Sequence, residues 1–115
     1  MTDLLFAPRP APTLRERLTV GSDQRFPVRR ILCVGQNYAA HAREMGSDPD
    51  KQSPFFFSKP GDALVSDGAD PAYPSATDNL HFEAELVAAI GEDGRIVGRA
   101  VGCDLTRRDL QAEAK

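Results

Sequence analysis

Three carboxylates in this chain have the spacing that a divalent cation requires: Glu83 and Glu85 in the run HFEAEL, and Asp104 in CDLTRRDLQ. Strand alternation sends Glu83 and Glu85 to one face. Two like charges so close repel unless a cation lies between them. Hard oxygen donors at this spacing suit Mg²⁺ or Mn²⁺ better than Zn²⁺. A bare E-x-E also describes the solvated face of an edge strand, but here the apolar run Leu86 to Ile90 follows, which reads as a strand entering a core.

Other pairs point to proton transfer and anion binding. His41 and Glu44 lie three apart in an alanine-rich stretch, hence on one helix face. A carboxylate that steers an imidazole makes a general base for water, although the same spacing also describes a surface His–Glu pair. Asp104, Arg108 and Gln111 recur at intervals of four and three. If Asp104 opens a helix, the three project along one side of it. The arginine fork then suits the carboxylate of an anionic substrate. The alternative is an N-cap aspartate followed by ordinary helix-surface residues. Lys59 follows three phenylalanines, so its ammonium emerges into a cleft or snorkels to solvent.

The elements that must position these groups follow from periodicity and breakers. Prolines 8, 10, 12 and 27 make residues 1–30 an extended entry segment, with a short helix expected at Thr13 to Leu18. Arg30 to Gly35 reads as a buried strand, and Tyr38 to Met45 as a two-turn helix closed by Gly46. Phe55 to Phe57 reads as a second buried strand, and Gly61 to Asp78 as turns with short strands only. Glu92 to Arg95 forms a hairpin turn after the E-x-E strand, and Thr106 to Lys115 has helix-forming composition.

With 115 residues the chain makes one domain at most. Its 14 basic and 17 acidic side chains give a net charge of -3 without a basic block, which argues against nucleic acid or an anionic membrane as partner. No apolar stretch approaches the roughly 20 residues of a membrane span. The start, with Asp3 and two early prolines, does not read as a secretory signal. Cys33 and Cys103 read as reduced core thiols of a cytoplasmic protein.

Taken in order, VGQNYAAHAREMG, PFFFSKP, LHFEAEL and GCDLTRRDLQ resemble the fumarylacetoacetate hydrolase family over residues 31–111. FPVRRILCVGQNYAAHAREMG and DLTRRDLQAEAK resemble in particular the branch that hydrolyses fumarylpyruvate in gentisate breakdown. The resemblance implies a mostly β roll with short helices (α+β), commonly a homodimer. It implies Glu83, Glu85 and Asp104 as ligands of Mg²⁺ or Mn²⁺, and His41 and Glu44 as the dyad that activates water. Lys59, Arg108 and Gln111 are implied to hold and polarise a small 2-oxo acid. On this basis residues 1–30 are an extended N-terminal segment, and 31–115 are the N-terminal part of the catalytic domain. The family's C-terminal half, with a further active-site lysine, has no match here, so a fragment of a longer enzyme is expected.

The expected chemistry is metal-dependent hydrolysis of a C–C bond in a 2,4-diketo acid, with fumarylpyruvate giving fumarate and pyruvate. Acylpyruvate hydrolysis, oxaloacetate decarboxylation and isomerisation of an oxo-diacid use the same ligands. A noncatalytic fragment that binds metal or oxoacid is the alternative outside the enzyme class.

Overall fold

The computed structural model describes residues 4–35 and 54–114. His41, Glu44 and the helix expected over 38–45 lie outside these residues. Among the described residues six strands pair into three two-stranded antiparallel ladders, and the chain divides into two units, Met1–Asp70 and Pro71–Lys115. No helix among the described residues is long and apolar enough to cross a membrane.

In the first unit, β1 (Thr13–Arg15) pairs with β2 (Arg25–Pro27), so the helix expected over Thr13 to Leu18 is instead a strand and a turn. The cause is visible at Glu16. Its carboxylate accepts the backbone N–H groups of Leu18 and Thr19, which turns the chain where a helix would have continued. Val28 N–H extends the ladder to the Pro12 carbonyl at 2.8 Å, and Val28 is the buried apolar residue among those described.

β3 (Arg30–Gly35) pairs with β4 (Phe55–Pro60) in continuous register, from Arg30 opposite Pro60 to Gly35 opposite Phe55. The Phe55 ring lies over Gly35, where a Cβ would stand 2.2 Å from the ring. Both strands appear where apolar runs place them. Their burial differs from expectation, since Leu32 and Phe55 to Phe57 are exposed. A 3-10 turn at Gly61–Ala63 follows, and residues 64–79 form no strand.

The second unit is built on one long hairpin. β5 (Leu80–Ile90) and β6 (Ile96–Arg107) pair from Leu80 opposite Arg107 to Ile90 opposite Ile96, with a register shift at Ala89/Ile90. The expected turn closes it. Gly91 N–H donates to Arg95 O at 2.8 Å, and Gly94 takes φ 80°, a left-handed conformation that favours glycine. One correction concerns burial. Leu86 and its partner Val101 are 71% and 85% exposed, so the run Leu86 to Ile90 does not enter a core within this unit. A second concerns Asp104, which lies inside β6 rather than at a helix start. Cross-strand pairing with β5 holds residues 104–107 extended, and α1 begins only at Arg108 (Arg108–Glu113).

Candidate metal centre

The β5–β6 register assembles the three carboxylates. Glu83 is directly opposite Asp104, and Glu85 is opposite Gly102. Opposed residues of an antiparallel pair share a face. Glu83, Glu85 and Asp104 therefore lie on one side of the hairpin with Val87 and Ala89, all of them half-buried. The other face carries Phe82, Leu86 and Val101, all exposed. Gly102 leaves no side chain beside Glu85, and a Cβ there would come within 2.9 Å of Val87 Cγ2.

Two carboxylates directly opposite each other destabilise a ladder unless a cation joins them. Arg108 supplies one. Its Nη2 donates to Glu83 Oε1 at 2.9 Å, and the two side chains retain only 21% and 25% of their exposure. Its Nε is buried with no hydrogen-bond partner among the described residues. The three carboxylates and this one guanidinium sum to a formal charge of −2 (three negative, one positive).

A clamp fixes the backbone from which Arg108 reaches. Arg108 N–H donates to the Asn79 carbonyl at 2.9 Å. Next to it, Asp109 accepts the Thr77 hydroxyl at 2.5 Å and the Asp78 N–H at 2.9 Å. Those bonds, the Thr77 hydroxyl first, hold the Asp109 carboxyl below the ordinary aspartate range. Asp109 is thus structural. Sequence reasoning missed the strap itself. The available signal was Thr77-Asp78-Asn79, a cluster of turn formers immediately before a strand.

The other candidates are placed as follows. Gln111 shares α1 with Arg108 at a spacing of three, and so one helix face. Asp104 does not join them on that helix. Lys59 lies in β4 opposite Ile31, in the first unit, and lines a groove with Arg29, Arg30 and Ser58. Among the described residues no three His, Cys, Asp or Glu side chains gather closely enough to hold an ion as they stand. In type and in face the trio nonetheless fits a hard divalent cation, because all its donors are carboxylate oxygens. Glu83 is paired with Arg108.

Comparison with known proteins bears on this arrangement. The family described as "Fumarylacetoacetate (FAA) hydrolase C-terminal" matches residues 30–115. A fumarylpyruvate hydrolase of Ralstonia sp. is 45% identical over 83 residues, which cover 62% of this chain and 43% of that protein. A mitochondrial oxaloacetate tautomerase of Arabidopsis thaliana is 42% identical over 96 residues, 75% of this chain and 43% of that protein. Among solved structures, the fumarylpyruvate hydrolase of Pseudomonas aeruginosa in complex with Mn²⁺ and pyruvate matches with a TM-score of 0.82 and 52% identity. That match covers 96% of this chain and 52% of the other. The chain spans about half the length of the relatives it matches.

Proposed function

The chain belongs to the fumarylacetoacetate hydrolase family, and from that premise we propose that it serves metal-dependent hydrolysis of a C–C bond in a 2,4-diketo acid, with fumarylpyruvate cleaved to fumarate and pyruvate. The observation that carries this reading is the single face that Glu83, Glu85 and Asp104 share, with Arg108 paired to Glu83. The likeness to a fumarylpyruvate hydrolase that binds Mn²⁺ and pyruvate supports the choice of metal and substrate.

A divalent ion held by Glu83, Glu85 and Asp104 would supply Lewis-acid stabilisation of negative charge on the 2-oxo acid, worth several kcal/mol. The protein's own groups do the rest. The Arg108 fork and Gln111 hold the substrate carboxylate and fix its orientation. His41, steered by Glu44, takes a proton from water as the oxygen attacks the distal carbonyl. The Lys59 ammonium offsets the oxyanion that develops there. When the C–C bond breaks, its electron pair leaves with the pyruvate fragment. The proton held on His41 then returns to that fragment's carbon, so one water has been added across the bond. In this reading residues 31–115 are part of the catalytic domain, entered by an extended segment over 1–30, and the enzyme works as a cytoplasmic homodimer.

The test follows the enol absorbance of fumarylpyruvate with the protein and Mg²⁺, and again after EDTA. Metal-dependent decay yielding equal amounts of fumarate and pyruvate is expected. The oxaloacetate tautomerase among the relatives favours a second reading, enol–keto interconversion or decarboxylation of oxaloacetate at the same carboxylates. Metal-dependent turnover of oxaloacetate with fumarylpyruvate left intact would replace the first reading by the second.

A further inference from the structure

We infer that Thr77 is a positioning residue for Arg108: its hydroxyl fixes the strap of residues 75–79 against the β6–α1 junction, and the strap sets where the guanidinium stands. The inference rests on the role given to Arg108 above and adds the residue that places it. Among the described residues Thr77 bonds to Asp109 and Asn79, and to none of the groups assigned to the chemistry.

α1 cannot place Arg108 by itself. It has six residues, buries none of them, and takes no side-chain cap from Arg107, the residue before it. A helix this short does not hold its own direction in water. Its first backbone donor, the Arg108 N–H, is held instead by the Asn79 carbonyl at 2.9 Å. Whatever fixes Asn79 therefore fixes the root of the Arg108 side chain, whose Nη2 reaches Glu83 at 2.9 Å.

Thr77 is the group that fixes it. Its hydroxyl oxygen accepts the Asn79 N–H at 3.2 Å and donates its own proton to Asp109 Oδ1 at 2.5 Å. Asp109 Oδ2 accepts the Asp78 N–H at 2.9 Å. One hydroxyl thus ties the strap, through Asn79, to α1, through Asp109. A hydroxyl can donate and accept at once, and a valine in its place can do neither. The strap does not take this path by its own preference. Ala76, next to Thr77, has φ 61°, a left-handed conformation that an alanine side chain disfavours. Such a conformation persists where surrounding bonds over-determine it, and Arg107 Nη1 adds one more, to the Ser75 carbonyl at 3.4 Å. Loss of the Thr77 hydroxyl removes the two central bonds and lets Ala76 relax, which carries the Asn79 carbonyl and Arg108 with it.

The experiment compares Thr77→Val, which keeps the shape and loses the hydroxyl, with Thr77→Ser, which keeps the hydroxyl, in the 115-residue chain. Hydrogen exchange at the Arg108 amide and the NMR position of its Nε–H are followed with no metal or substrate added. kcat and KM are then measured on fumarylpyruvate with Mg²⁺. In Thr77→Val the Arg108 amide should exchange about tenfold faster, the Nε–H signal should move, and KM should rise about tenfold with kcat within about twofold of the parent. Thr77→Ser should restore all of these. A purely structural role reads differently: part of the protein unfolds, so apparent kcat falls while KM keeps its parental value. That outcome overturns the inference, as does a Thr77→Val protein whose Arg108 signals and KM match the parent. If the parent chain does not turn over fumarylpyruvate, the reaction proposed above fails and the Arg108 signals alone decide the placement. Moved in Thr77→Val and restored in Thr77→Ser, they sustain it; unmoved, they overturn it.

Discussion

The β3–β4 and β5–β6 ladders are made of similar apolar material, yet only one gathers carboxylates on a single face. In β3–β4 both faces are mixed: Ile31 and Lys59 share one, Leu32 and Ser58 the other. In β5–β6 the period of two gathers the acids, with Glu83, Glu85 and Asp104 on one side, while Phe82, Leu86 and Val101 share the other with Arg99 and Arg107. A continuous apolar run such as Phe55 to Phe57 specifies a strand that expects cover on both sides. Strict alternation specifies a strand with two different tasks. The second arrangement can gather ligands, because residues that share a face are held to one spacing by the backbone.

Substitutions separate the roles of the two ladders. The largest effect belongs to Glu83→Gln, which should lower kcat/KM about 10³-fold and abolish Mn²⁺ binding. Lys59→Met, in the other ladder, should lower kcat/KM about 10²-fold while Mn²⁺ titrations stay unchanged. Metal loss in Lys59→Met would erase the division of labour between the ladders. Stability should divide along burial in the same way. Val28→Ala removes buried methyl groups and should cost about 2 kcal/mol in urea unfolding. Leu86→Ala, on the exposed face, should stay within about 0.5 kcal/mol. Gly94→Ala forces a side chain into the left-handed region of the β5–β6 turn, at about 1 kcal/mol by the same measurement.

The smallest effect is a dependence on pH. Thr77 and the Asp78 N–H depress the Asp109 carboxyl. A carboxyl with a folded value below its unfolded one contributes stability above the unfolded value, about 4. That contribution is lost as the pH falls through the folded value. Asp109→Asn should therefore flatten the acid side of the stability curve below pH about 4, followed by circular dichroism, and leave the neutral side nearly level.

Much of this was legible in the residues, and the failures share a physical cause. The strands Arg30–Gly35 and Leu80–Ile90 and the turn around Gly94 are written locally, in β-branched runs, alternation and glycine. Asp104 was misread as a helix opener because DLTRRDLQ has helical spacing, and the ladder that keeps it extended belongs to residues some twenty positions earlier. Thr13 to Arg15 was misread for the same reason, since β2 lies beyond a turn that Glu16 stabilises. Hydropathy marks what needs covering and not what covers it, so Phe56 and Leu86 were expected to be buried. The Arg108–Glu83 pair depends on where α1 leaves β6, which no short window of sequence contains.

The tight turn between β5 and β6 also bears on the time at which the carboxylate face comes into being. Glu83 and Asp104 meet when one hairpin zips, an event of low contact order that takes about 1–10 μs as an elementary step. Their repulsion opposes that zipping from the moment they face each other. Arg108 stands four positions beyond Asp104, at the start of α1 and immediately after the strand that is closing. The charge that relieves the conflict therefore arrives in the same step as the conflict, and the nascent hairpin can close on a sequence that would otherwise push it apart.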